Sequence, residues 1–236
     1  IKSKLCILNE MDSIRLSELG ECPYDQGGYF IIKGKEKVFL SQEKKINNIL
    51  YINSLNDELT PLQAVYKSVS KEGFQSSRTN AITLNRAIIN ISTMNDEVTI
   101  HDKRHVYRIT VRILGIDIVV PLFVLFRALG FENDKEILSL IIYDNDGKKL
   151  RKKLLDELRD SIKDTQPIFN QKTAMKYLSM YTKGKEIINI IDILNNNLFP
   201  NYINFYEKGI FLGYSVRNLL LTRIGVLKET DRDSYS

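Results

Sequence analysis

Near Pro121 the chain changes its hydrophobic period, and that switch constrains the fold more than any other feature. Upstream, short runs rich in β-branched and aromatic residues dominate, at 49–52, 81–84, 88–91 and 106–113. In the last run Tyr107, Ile109, Val111 and Ile113 alternate with Arg108, Thr110, Arg112 and Leu114, the period of a half-buried strand. Polar stretches at 71–80 and 93–97 read as loops. Downstream, Pro121 suits a first helical turn, residues 122–129 run up to Gly130 as a C-terminal cap, and Asn133 or Asp134 caps a helix through Ile142. Leu150, Leu154, Leu155, Leu158 and Ile162 form an apolar stripe at helical spacing. Asn170 caps a helix ending near Gly184, and residues 187–198 and 209–224 supply two more. A strand-rich first half and a helical second half point to an α+β fold.

Ahead of the switch lies the sharpest local signal. Tyr29-Phe30-Ile31-Ile32 and Lys37-Val38-Phe39-Leu40 flank Lys33-Gly34-Lys35-Glu36, which predicts a β-hairpin. Gly27 and Gly28 before it open backbone conformations closed to other residues, a structural role. Asn195–Asn197 and the isoleucines of 187–193 read as the mark of an AT-rich genome and carry no fold information at this level.

Composition narrows the class. With 43% hydrophobic and 27% charged residues the chain is no disordered polyanion or polycation, and 236 residues suffice to bury a core. The surplus of 34 cations over 29 carboxylates, +5, suits a nucleic-acid neighbour without demanding one. Two cysteines, Cys6 and Cys22, make no disulfide framework and fit a reducing, intracellular compartment. No apolar run reaches the roughly 18 residues that cross a membrane, so no membrane partner is expected. The chain lacks an initiating Met and stops abruptly after Tyr235 and Ser236, so both ends read as cut from something longer.

Signatures of chemistry are missing. His101 and His105 lack the intervening Glu of a zinc helix, and their strand-like flanks place them as loop residues near a turn. Asp231 and Asp233 resemble a metal pair, but Arg232 between them competes for both carboxylates, so a salt-bridged turn is expected. The run Lys148, Lys149, Arg151, Lys152 and Lys153 reads as a solvated helix face or a phosphate-facing one, with Asp156, Glu157 and Asp160 close behind. Neither a phosphate-binding Gly-rich loop nor a nucleophile elbow occurs.

Three motifs carry a family resemblance. Glu21-Cys22-Pro23, then Gly27-Gly28-Tyr29-Phe30-Ile31-Ile32-Lys33-Gly34-Lys35-Glu36-Lys37-Val38 and Gln42-Glu43, resembles a signature of the second-largest subunit of eukaryotic-type multisubunit DNA-directed RNA polymerases. Val120-Pro121 with Phe126-Arg127-Ala128-Leu129-Gly130 is similar to a second family motif. Phe211-Leu212-Gly213-Tyr214, Asn218-Leu219-Leu220-Leu221 and Asp231-Arg232-Asp233-Ser234-Tyr235 follow in the family's order. Eukaryotic-type wording also covers archaeal and large-DNA-virus enzymes.

The resemblance implies a lobe inserted into part of a protrusion. Residues 1–46 would belong to the protrusion, 47–225 to the lobe, and 226–236 to the protrusion again. It implies an enzyme only as part of a complex, a nucleotidyltransferase whose magnesium is held elsewhere, with no catalytic residue and no cofactor in this stretch. The partners implied are template DNA, nascent RNA, the largest and smaller subunits, and initiation factors. The location implied is the nucleus, or host cytoplasm or virion for a viral enzyme. At the family's cleft-lining motif, Lys33, Lys35, Lys37, Gln42, Lys44 and Lys45 are expected near nucleic acid. Arg127, amid Leu, Phe and Val, is expected to be structural and paired, since an unpaired buried charge is costly. The alternative is a free-standing nucleic-acid or protein-interaction module, which would share the basic surface but explain none of the motifs.

Overall fold

Alternating apolar residues around residue 64 and again around residue 82 lay strands against one another, and the computed structural model describes residues 3–55, 57–70, 76–91, 102–163 and 168–230. Contacts divide the chain into two units, Ile1–Lys45 and Ile46–Ser236.

The first unit holds a short helix, α1 (Ser13–Glu18), and the two-stranded antiparallel sheet of β1 (Tyr29–Ile32) and β2 (Lys35–Val38). Among its described residues only Leu16 is a buried apolar side chain.

The second unit opens with an antiparallel sheet in sequence order: β3 (Leu50–Ser54), β4 (Leu62–Ser68), β5 (Arg78–Ile91), β6 (Asp102–Arg112) and β7 (Val120–Pro121). Register explains its inner face. Ala64 lies opposite Ile82, Ile82 opposite Val111, and Val111 opposite Val120, and all four are buried. One step along, Leu62, Leu84 and Ile109 repeat the ladder.

Helices cover that face: α2 (Leu122–Ala128), α3 (Asp134–Ile141), α4 (Lys148–Lys163), α5 (Gln171–Ser179), α6 (Ile187–Asn196) and α7 (Phe205–Ile224). Every residue of α2 is buried, the mark of a helix enclosed on all sides. α7 lies against β3 and β4, while α2 and α4 lie against β6. No helix among the described residues is long and apolar enough to cross a membrane.

The α+β class holds, with strands in the first half and helices in the second. Several local expectations change. Residues 81–84 and 88–91 belong to the single strand β5, because β6 pairs with it without a break from Ala81↔Arg112 to Ile91↔Asp102. Residues 78–80 are strand rather than loop, since they pair with β4. His105 pairs opposite Ile88 inside β6 and is not at a turn; His101 lies outside the described residues. Leu155 leaves the apolar stripe and is 39% exposed, whereas Leu154 and Leu158 are fully buried. β4 falls in the strand-rich half but is not among the runs that stand out in the sequence, and α7 begins four residues earlier than expected.

Candidate nucleic-acid interface

Lys33 and Gly34 join β1 to β2 through two residues of positive φ, 52° and 72°. That two-residue turn matches the right-handed twist of the flanking strands, which turns of negative φ would splay. Gly27 and Gly28, at φ 70° and 88°, set the entry to β1. Asp25 fixes that entry. Its Oδ1 accepts from the Gly27 backbone N–H at 2.8 Å, and its Oδ2 accepts from the Tyr29 hydroxyl. The Tyr29 hydroxyl bond, then the Gly27 bond, holds the Asp25 carboxyl below its usual range. The same bond pushes the Tyr29 hydroxyl up to about 12.

Cross-strand pairing decides which lysines act together. Phe30 lies opposite Lys37 and Ile32 opposite Lys35, so these four share one face. Glu36 faces the other way, opposite Ile31. The shared face therefore carries two ammonium groups and no carboxylate, with Phe30 60% and Ile32 48% exposed beside them. Lys33 sits at the tip. Gln42, Lys44 and Lys45 follow in an irregular exposed segment that no strand register ties to the lysine face. Such a face can meet backbone phosphates while its apolar side chains pack on sugar or protein. It offers no nucleophile, no paired acid and base, and no oxyanion donor set.

Arg127 is elsewhere, in the interior of the second unit. It is 2% exposed, and its Nη2 donates to Asp134 Oδ1 at 2.7 Å. Its Nη1 donates to the Ile168 carbonyl, and the guanidinium lies over the Phe169 ring, 5.3 Å from the centroid. Asp231, Arg232 and Asp233 lie outside the described residues.

Three polar devices escaped sequence reasoning. Arg217 grips Asp146 with both terminal nitrogens at 2.7 Å, donates to the Ile141 carbonyl at 3.0 Å, and stacks over Tyr143. This bidentate pairing holds the Asp146 carboxyl below its ordinary range. Lys208 is fully buried, and its Nζ donates to the Leu194 and Asn195 carbonyls at the end of α6, each at 2.7 Å. Asn80, 1% exposed, donates to the Asn197 carbonyl and accepts from the Phe199 N–H, tying the sheet to the α6–α7 connection. The acid and lysine spacings give no local sign of these pairings; only the unusual Lys208-Gly209 step inside an apolar helix hints at one.

Among the described residues no three His, Cys, Asp or Glu side chains converge to hold a metal ion.

The family model described as RNA polymerase beta subunit matches residues 1–211. Over its whole length the chain is 32% identical to DNA-directed RNA polymerase II subunit RPB2 of Encephalitozoon cuniculi, of which it covers 20%. It is 32% identical to DNA-directed RNA polymerase II subunit 2 of Arabidopsis thaliana, covering 20% of it, and 30% identical to subunit RPB2 of Schizosaccharomyces pombe, covering 19%. The chain thus spans about a fifth of the length of these relatives.

Proposed function

Since the chain belongs to the RNA polymerase beta subunit family, we propose that it forms the protrusion and lobe of a second-largest polymerase subunit, lining the DNA cleft. Residues 1–46 and 226–236 supply protrusion, and 47–225 the lobe. The observation that carries this reading is the carboxylate-free lysine face of the β1–β2 hairpin, set within a chain aligned end to end with RNA polymerase II subunits. Lys33, Lys35, Lys37, Gln42, Lys44 and Lys45 approach the template–RNA hybrid or upstream DNA. Nucleotidyl transfer belongs to the assembled enzyme, whose magnesium is held outside this stretch. The partners are template DNA, nascent RNA, the largest and smaller subunits, and initiation factors. The enzyme works in the nucleus, or in host cytoplasm or virion for a viral source.

Phosphate contacts weaken with salt in proportion to their number, by about 0.9 in log–log slope per contact on duplex DNA. Replacing Lys35, Lys37 and Lys44 by Glu in the assembled enzyme is expected to lower template affinity and flatten its salt dependence. Unchanged affinity together with an unchanged salt slope would remove the hairpin from the nucleic-acid path.

A further inference from the structure

The charge of this chain is concentrated in one helix. α4 carries seven cations, Lys148, Lys149, Arg151, Lys152, Lys153, Arg159 and Lys163, against three carboxylates, a surplus of four where the whole chain's surplus is five. The five cations of 148–153 are all exposed.

Their placement breaks the rules that stabilise a helix. No acidic residue occupies the first turn. Cations there oppose the positive end of the helix dipole, at about 0.3–1 kcal/mol each where exposed. Lys148 and Lys152, and Lys149 and Lys153, are like-charged pairs four apart, which destabilise by a few tenths of a kcal/mol more. A helix needing only solubility gains it at lower cost from interleaved signs.

The three carboxylates of α4 all follow the cluster of five cations, and residues 148–155 carry none. At 100° per residue, opposite the buried Leu154, Leu158 and Ser161, the outer face runs from Arg159 through Lys152 and Lys163 to Lys149, with Lys148 and Lys153 at its two edges. Asp156 projects between Lys152 and Lys149, and Asp160 between Lys149 and Lys153, but both stand in the second half of the helix. The Asp160 side chain is 19% exposed and reaches toward Lys163 at 3.9 Å. Glu157 turns further in, where burial raises its carboxyl and Arg223 opposes that rise. Leu154, Leu158 and Ser161 anchor the opposite side, and Ser161 Oγ accepts from the Ile109 N–H at 3.0 Å, so the crest cannot roll inward.

We propose that the α4 crest, centred on Lys148, Lys149, Lys152 and Lys153, is a second nucleic-acid surface that binds the phosphate backbone of duplex DNA without reading sequence. From Lys148 to Lys163 the crest spans about 22 Å, enough for several successive phosphates. Lysine predominates, a point charge suited to phosphate, and neither aromatic rings nor Asn and Gln side chains stand among the cations to stack on or read bases. This surface belongs to the second unit, whereas the hairpin belongs to the first, so each stands or falls alone.

The test is a filter-binding titration of the 236-residue chain on a 20-base-pair duplex at several salt concentrations. Three proteins are compared: the parent, a variant with Lys148, Lys149, Lys152 and Lys153 all changed to Gln, and one with the hairpin changes Lys35→Glu, Lys37→Glu and Lys44→Glu. The four-Gln variant is expected to bind at least tenfold more weakly at low salt, with a log–log slope shallower by about three to four. Arg at the same four positions is expected to restore both, and thermal melts show that each variant is folded. A hairpin variant that alone loses binding overturns the crest and supports the hairpin. Equal binding by parent and four-Gln variant overturns it too, as does a parent that binds polyglutamate more tightly than DNA or binds no DNA at all.

Discussion

Arg127 shows how a single buried charge is made tolerable. Its neighbours in α2 are all buried, yet one side of the guanidinium reaches Asp134, whose side chain is 44% exposed. The two partners are therefore unequal. Removing the cation leaves a carboxylate that water can solvate, whereas removing the carboxylate leaves a buried cation held by one carbonyl and a ring. Arg127→Met is expected to cost about 1–2 kcal/mol and Asp134→Ala about 2–3 kcal/mol, read as shifts in urea midpoint. A smaller loss for Asp134→Ala than for Arg127→Met would contradict this asymmetry. The sequence exposed Arg127 as a cation in an apolar run, but Asp134 as a helix-capping candidate only. Long-range polar partners such as Asn80 with Asn197 have no local pattern, and an asparagine tract read as codon bias holds part of the sheet in place.

Between elements, Lys208 joins α7 to the end of α6. Burial alone pushes its ammonium down to about 8 from an ordinary 10.5. A neutral amine keeps two N–H groups, matching the two carbonyls it meets. The unfolded chain then binds the extra proton between pH 8 and 10.5, so this group's contribution to stability rises with pH across that window. Measured as the difference in urea midpoint between the parent and Lys208→Met, the parent is expected to gain on the variant from pH 7.5 to pH 10. A difference that stays flat or shrinks would contradict a depressed Lys208. The same residue explains why the start of α7 was hidden: a lysine at a core position, followed by Gly209, interrupts the apolar period. Gly209 is required there because a Cβ would overlap the Phe131 ring, and one on Gly213 would lie 2.8 Å from Leu140 Cβ. β4 was hidden differently, since small Ala64 and polar Ser68 hold inward positions while Val65 faces the other way. The β1–β2 hairpin was legible as an element because its signal is local, but its turn is the pair Lys33-Gly34 rather than 33–36, and its second strand is Lys35–Val38 rather than 37–40.

At the scale of the whole molecule, two units carry two basic surfaces and no described catalytic constellation, in a chain that spans about a fifth of its relatives. On the proposed reading, such a part guides nucleic acid while the chemistry is performed elsewhere in an assembly. The most direct measurement is template-dependent RNA synthesis by material purified through a tag on the full-length product of the gene encoding this chain, run beside the 236-residue chain alone. The account predicts that the tagged product brings down a multisubunit complex that makes template-dependent RNA, while the isolated chain with magnesium and nucleotides makes none. A tagged product that purifies as a single subunit without RNA synthesis, or an isolated chain that extends RNA on a template, would contradict it.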